Sequence, residues 1–410
     1  MRVLISGGGV AGPVLAYWLR RYGFAVTVVE RAPTLRKAGG HAVDLFGPAL
    51  RITDRMGVTE QLEAHRTGTE WIEFRTEGGD RVYTVAMGRL TQLVSARHVE
   101  IMRDDLSETL NQAVPGDVEY LFGDSVVTLT QDGTGVDVTF EHAPARRFDL
   151  VVGADGLHST VRNLTFGPES RFTTWIGAYL AVMSIPNYLN LHNRMVGITG
   201  VNRMVGVYGG ARLDDARAVF LFRPAAELDY HHRDAARQKE LLREQFAGLG
   251  WEVPRLLGEH LDRTSTFYFD SITQLRLDSW SRGRVSLVGD AGYCPGPAVG
   301  GSTSLAVVGA YVLAGELAKA GGDHTVAFPA YEAALGDYVR RSRALAVGMA
   351  KRLVPSSPAA VWGLVHGIRL INHLPLAVAR HVAGGNKTLR LHDTFALPDY
   401  PQPTPHQPTA

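Results

Sequence analysis

A glycine-rich turn between two apolar strands constrains the fold of this chain of 410 residues more than any other feature. Arg2–Ser6 reads as a strand, Gly7–Gly12 as the turn, Pro13–Tyr22 as a helix and Ala25–Glu30 as a second strand, which together make a βαβ unit. Gly7, Gly9 and Gly12 stand at G-x-G-x-x-G spacing. The first glycine permits a tight turn, the second lets the main chain approach a pyrophosphate, and the third lets the helix pack closely on the strand. Val10 and Ala11 lie within the same turn, so the helix N-terminus faces the anion. Glu30 ends the second strand 18 residues after Gly12, where a carboxylate accepts hydrogen bonds from ribose hydroxyls and disfavours a 2′-phosphate. Arg31 and Arg36 follow it and join the candidate binding set.

Taken alone, this unit fits NAD and FAD equally, but two later motifs narrow the choice. Residues 149–162 run Asp-Leu-Val-Val-Gly-Ala-Asp155-Gly156-Leu-His-Ser159-Thr-Val-Arg162: a continuous apolar strand stopped by Asp-Gly, with an arginine able to pair with a carboxylate or phosphate. A strand ending in Asp-Gly is by itself only a turn. Residues 284–302 form a second strand and turn containing Gly289, Asp290, Pro297, Gly300, Gly301 and Ser302, followed by a helical stretch to Ala320. In this order the three motifs resemble the glycine turn, the DG motif and the GD motif of the class A, para-hydroxybenzoate-hydroxylase-like flavoprotein monooxygenases. Two more matches strengthen the likeness, which covers residues 1 to about 350: Gly39–Leu45, containing Gly40, His41 and Asp44, resembles the segment lining the flavin ring, and Arg103 resembles a helix-start arginine that reaches the cofactor. Ser302 departs from the family, which commonly has glycine there, and Tyr293 stands where many relatives carry histidine.

The resemblance implies non-covalently bound FAD, with Asp290 at its ribityl–pyrophosphate part and the helix from Ser302 beneath the ring. It also implies NAD(P)H as co-substrate and delivery of one atom of O2 to an electron-rich small molecule through a flavin C4a-hydroperoxide. The flavin supplies the difficult chemistry, so no Ser/His/Asp triad or metal cluster is required and no catalytic side chain is assigned. No second G-x-G-x-x-G follows a strand. Adjacent His231 and His232 are expected to diverge rather than share a metal. Two other classes compete: a FAD-holding catalyst of non-redox cyclisation, and a non-enzymatic dinucleotide-binding protein.

The expected fold is α/β: a Rossmann-like FAD-binding domain (1–70, 97–171 and 275–353) with an inserted antiparallel-sheet substrate domain (71–96 and 172–274). A C-terminal helical segment (354–397) and a proline-rich tail (398–410) follow. Residues 71–94 of the insertion read as short strands, and Val118–Phe140, between the two inserted segments, reads as a hairpin pair. The rest of the insertion, from Phe172 to about Phe269, also reads as short strands, and it carries most of the domain's aromatic residues. Its aromatic residues include Trp175, Tyr179, Tyr208, Phe220 and Phe222, of which about half should be core because strand side chains alternate between faces. Tyr208, Phe220 and Phe222 are the candidate substrate contacts. Few charges interrupt these strands, which favours a bulky, weakly charged aromatic or polyketide-like substrate.

Composition excludes several partners. Lys and Arg number 42 against 41 Asp and Glu, so no long-range field draws the chain to nucleic acid or anionic lipid. No apolar run approaches the roughly 20 residues of a membrane span, and no leader precedes the first strand, so a cytoplasmic protein is expected. Cys294 is the one cysteine and is expected to be a small buried hydrophobe. The sequence leaves the oligomeric state open.

Overall fold

The computed structural model describes residues 1–34, 40–210, 214–297, 301–375, 378 and 391–401. Its first layer is a six-stranded sheet in the spatial order Ser281–Arg282, Val285–Leu287, Leu150–Gly153, Arg2–Ser6, Ala25–Glu30 and Glu119–Phe122. The last five are mutually parallel and only the Ser281–Arg282 edge is antiparallel. Parallel strands covered on both faces must be apolar throughout, and Leu150–Gly153 is buried along its whole length. The Ala11–Arg21 helix and the Ser302–Lys319 helix cover one face, packed against each other. Val118–Phe140 therefore holds more than a hairpin pair: Glu119–Phe122 joins the parallel sheet, while Val126–Gln131 pairs with Val136–Phe140.

A seven-stranded sheet forms the second layer, ordered Phe267–Leu275, Thr173–Pro186, Asp215–Phe222, Arg203–Gly209, Arg194–Gly200, Trp71–Thr76 and Tyr83–Ala86. It is antiparallel, as expected, except where Arg194–Gly200 runs parallel to Trp71–Thr76. Residues 71–94 are not strand throughout, because Met87–Val94 is a helix. Helix Ala235–Phe246 covers one face of this sheet through Leu241, Leu242 and Phe246. The C-terminal end of the 30-residue helix His324–Leu353 meets the other face through Ala346 and Ala350. A short ribbon, Ala42–Phe46 paired with His98–Met102, lies between the layers. Beyond it the Pro358–His373 helix packs near the Tyr83–Ala86 edge.

Part of the expected tail is draped over the first layer and anchored there. Arg55 pairs with Asp399 at 2.6 Å, Tyr311 donates to the Pro398 carbonyl at 3.2 Å, and Tyr400 donates to Glu316 at 2.8 Å. Residues 402–410 lie outside the described residues.

Candidate functional site

Gly7 lies at φ +110°, and a Cβ there would stand 2.5 Å from the Ala154 carbonyl oxygen. The glycine turn is thus pressed against the start of the second motif. Gly9, by contrast, has nothing within 4 Å of where a Cβ would sit, so its main chain is open to a bulky ligand. The Ala11–Arg21 helix starts from Val10 with no side-chain cap and no acid in its first turn, leaving N–H groups for an anion. Glu30 accepts from Gly8 N at 2.7 Å and from Ala32 N at 2.8 Å, one bond to each carboxylate oxygen. A carboxylate has about four lone-pair sites, so Glu30 retains capacity for hydroxyl donors. Arg31 is exposed beside it, and Arg36 lies outside the described residues. An open glycine backbone, an uncapped helix start and a carboxylate at the strand end fit the ADP half of a dinucleotide.

The segment from Gly40 is held from both sides. Gly40 N donates to Asp104 Oδ2 at 2.6 Å, and the Arg103 main-chain N–H donates to the His41 carbonyl at 3.0 Å. On the opposite side Ala42 N donates to Tyr208 Oη at 2.9 Å, and Arg217 Nε donates to the Gly40 carbonyl at 3.2 Å. Ser304 Oγ donates to the Asp44 carbonyl at 3.1 Å and accepts from Phe46 N at 2.9 Å, tying the ribbon to the Ser302–Lys319 helix. The Asp44 carboxylate itself faces His98 at 2.6 Å. The His41 ring lies 5.3 Å from that of Tyr268. Burial, reinforced by the Arg103 charge and opposed by Asp44, lowers its pKa to about 4, so His41 is neutral at neutral pH. Arg103 is exposed, and its charge acts on His41, Tyr268 and Asp290 alike.

The second and third motifs are fastened together. Asp155 accepts from Ser159 Oγ at 2.5 Å and from Val161 N at 3.1 Å, while burial raises its pKa. Arg162 is fully buried, pairs with Glu169 at 2.5 Å and donates to the carbonyls of Leu157 at 2.6 Å and Ala291 at 3.1 Å. Of the two partners the sequence allowed, it therefore takes the carboxylate. Gly289 brings the first and third motifs together, since a Cβ on it would lie 3.3 Å from Ala11 Cβ and 3.2 Å from Ala306 Cβ. Burial raises the Asp290 pKa, against a bond with Cys294 and the Arg103 charge. Cys294 is buried, as expected. Gly301 caps the Ser302–Lys319 helix, which has no side-chain cap and no acid in its first turn. This is a second uncapped N-terminus, with Ser302 and Pro297 half-buried beside it. Gly300 lies outside the described residues.

The candidate substrate contacts divide between the two faces of the second sheet. Phe220 and Phe222 are corrected: they pack on the side of helix Ala235–Phe246, with Phe220 5.1 Å and Phe222 5.6 Å from the Phe246 ring. Their even spacing put them on one face, but that face belongs to the core together with Tyr179. Tyr208 faces the Gly40 segment instead, on the side of Arg217 and Tyr268. Sequence reasoning missed these last two, although cross-strand pairing of Tyr208 with Arg217 follows once the hairpin register is known. His231 and His232 also depart from expectation. Their rings stack 4.4 Å apart instead of diverging, and His232 lies 4.2 Å from His158. No group of three or more His, Cys, Asp or Glu among the described residues is arranged to hold a metal.

A family model described as FAD binding domain matches residues 1–347. An uncharacterized protein of Mycobacterium tuberculosis is 44% identical over 342 residues, covering 83% of this chain and 91% of its own. A flavin-dependent monooxygenase of Legionella longbeachae is 39% identical over 339 residues, covering 83% and 86%. Among solved structures, tetracycline destructase Tet(51) superposes with a TM-score of 0.81 at 34% identity, covering 97% of this chain and 99% of that one.

Proposed function

Because the chain belongs to the FAD-dependent monooxygenases, we propose that it uses NAD(P)H and O2 to place one oxygen atom on a bulky aromatic or polyketide-like small molecule. In balance, the substrate C–H, O2, NAD(P)H and a proton give the hydroxylated product, water and NAD(P)+. FAD supplies the redox step and the activation of O2 when bound. The side chains bind, orient and exclude water.

Glu30 would take the ribose hydroxyls and the N–H groups of Gly9, Val10 and Ala11 the pyrophosphate, because these donors and acceptors are open at the strand and helix ends. Asp290 and Arg103 would meet the ribityl side, with Asp155 bracing the turn beside Gly7 through Ser6 and Ser159. The uncapped start of the Ser302–Lys319 helix would stabilise negative charge on the flavin ring.

The observation that carries the substrate class is one row in register across the second sheet: Tyr268, Val182, Val219 and Gly206. It carries no charged group, continues through Gly197 and Phe74 to Tyr83, and at its other end Tyr268 lies against His41. Of the charges around it, Arg217 and Asp270 are occupied by Asp215 at 2.5 Å and His158 at 3.4 Å, while the Arg103 charge also reaches Tyr268. Such a surface suits a large, weakly charged ring system, and the likeness to a tetracycline destructase points the same way.

Anaerobic addition of NADH and then NADPH to the flavin-loaded protein tests the redox reading, followed by oxygen uptake with tetracycline and a set of polyphenols. Bleaching of the flavin band and a product heavier by one oxygen from labelled O2 are expected. Absence of bleaching with either nicotinamide, while substrate is still converted, would replace this reading with the non-redox one.

A further inference from the structure

We propose that the cross-strand pair Tyr208 and Arg217 are positioning residues by which the substrate sheet holds the main chain of residues 40–42 at the flavin ring. The inference rests on the reading above that this segment lines the cofactor. Tyr208 and Arg217 face each other across neighbouring strands, and each spends a polar group on a backbone atom of the same three residues. Tyr208 Oη accepts from Ala42 N at 2.9 Å, and Arg217 Nε donates to the Gly40 carbonyl at 3.2 Å. Both side chains are buried, at 7% and 6% exposure, so neither bond is traded freely for water. The Arg217 guanidinium is itself aimed by Asp215, two residues earlier on the same face, through a 2.5 Å ion pair.

From the first layer, Asp104 takes Gly40 N and the Arg103 main chain takes the His41 carbonyl. Among the described residues, His41 N is left with no partner, on the half-buried residue between these restraints. A lone N–H whose neighbours on both sides are clamped is a preorganised donor for an acceptor atom on the ring. The two sheets thus meet in this segment, and the layer that carries the apolar row also fixes the height of the donor. A substrate pressing on that row would act on the donor through Tyr208 and Arg217 without touching it.

The test compares flavin-loaded Tyr208→Phe, Arg217→Gln and Arg217→Lys with the parent, and with Phe220→Leu as a control on the opposite face. Three readouts are taken: FAD dissociation constant, position of the visible flavin band, and hydrogen exchange of the peptide spanning residues 40–46. Loss of either bond should weaken FAD binding about five- to tenfold. It should also shift the band and accelerate exchange of that peptide, with Arg217→Lys intermediate because it keeps a donor. Phe220→Leu should lower the melting temperature with none of these changes. The inference is overturned if the peptide and FAD affinity stay at parental values in both Tyr208→Phe and Arg217→Gln, or change only as they do in Phe220→Leu. A raised substrate KM with unchanged flavin properties would equally overturn it, since the pair would then be direct substrate contacts. None of the three readouts involves NAD(P)H, so a failure of the monooxygenase reading would leave them interpretable.

Discussion

A Cβ on Gly12 would stand 1.9 Å from the carbonyl oxygen of Gly7, whereas one on Gly9 would meet nothing within 4 Å. The two glycines of one turn therefore answer to different demands. Gly12→Ala is expected to cost stability, roughly 1–3 kcal/mol or more, because main chain must move to admit the methyl group. Gly9→Ala should leave thermal unfolding nearly unchanged and weaken FAD retention, since its methyl group would occupy space a pyrophosphate needs. Melting curves of the FAD-free proteins and flavin titrations check the split, and equal behaviour of the two variants would contradict it.

Gly309 sits inside the Ser302–Lys319 helix, where alanine ordinarily stabilises by about 0.5–1 kcal/mol. Here a Cβ would lie 1.8 Å from Tyr293 Oη, which is itself bonded to Tyr331 Oη at 3.0 Å. Gly309→Ala should therefore destabilise, and Tyr293→Phe in the same chain should recover part of the loss. A double-mutant cycle by urea unfolding measures the coupling, and additive effects would count against it.

Two histidines set opposite pH windows. Burial alone would lower the His158 pKa, but the bonds and charges of Asp270 and Glu169 outweigh it and raise it to about 9. A raised value means that the stabilisation is complete below the unfolded value of 6.5 and lost as pH climbs from there through about 9. For His41, held down to about 4, the wild type should instead lose stability as pH falls from 6.5 to that value. The destabilisation caused by His158→Gln should shrink between pH 6.5 and 9.5, and that caused by His41→Gln should shrink between pH 6.5 and 4. Urea midpoints across pH 4–9.5 decide both.

Ser302 is the first residue of its helix, and its hydroxyl does not cap the N-terminus. Ser302→Gly should change stability by only a few tenths of a kcal/mol and preserve FAD binding. Substrate-dependent NAD(P)H oxidation should be equal or faster. Loss of hydroxylation with FAD still bound would mean that the hydroxyl takes part.

The βαβ unit could be read from sequence because local rules and tertiary packing agree there: Arg2–Ser6 and Ala25–Glu30 are strands as their apolar runs require. The helix between them begins at Ala11, two residues earlier than the proline suggested. Met87–Val94 misled because a short apolar stretch suits either a strand or a helix, and only its neighbours decide. Glu119–Phe122 reads as part of a hairpin because its pairing with Ala25–Glu30, between residues 27 and 119, is a long-range event that no local pattern encodes. Phe220 and Phe222 share a face as their spacing requires, but alternation cannot tell which face meets the cofactor. The positions of Arg217 and Tyr268 against residues 40–41 depend on how two separately encoded sheets dock.

The alternation along Asp215–Phe222 also separates two kinds of evolutionary freedom. Ala218, Phe220 and Phe222 are locked among aromatic rings, so drift there would be purged through folding before any change in chemistry was sampled. Val219, and Met204 on the adjoining strand, look the other way and are only half-buried. A lineage could therefore exchange one ring system for another by a few substitutions at such positions, while its interior stayed the same.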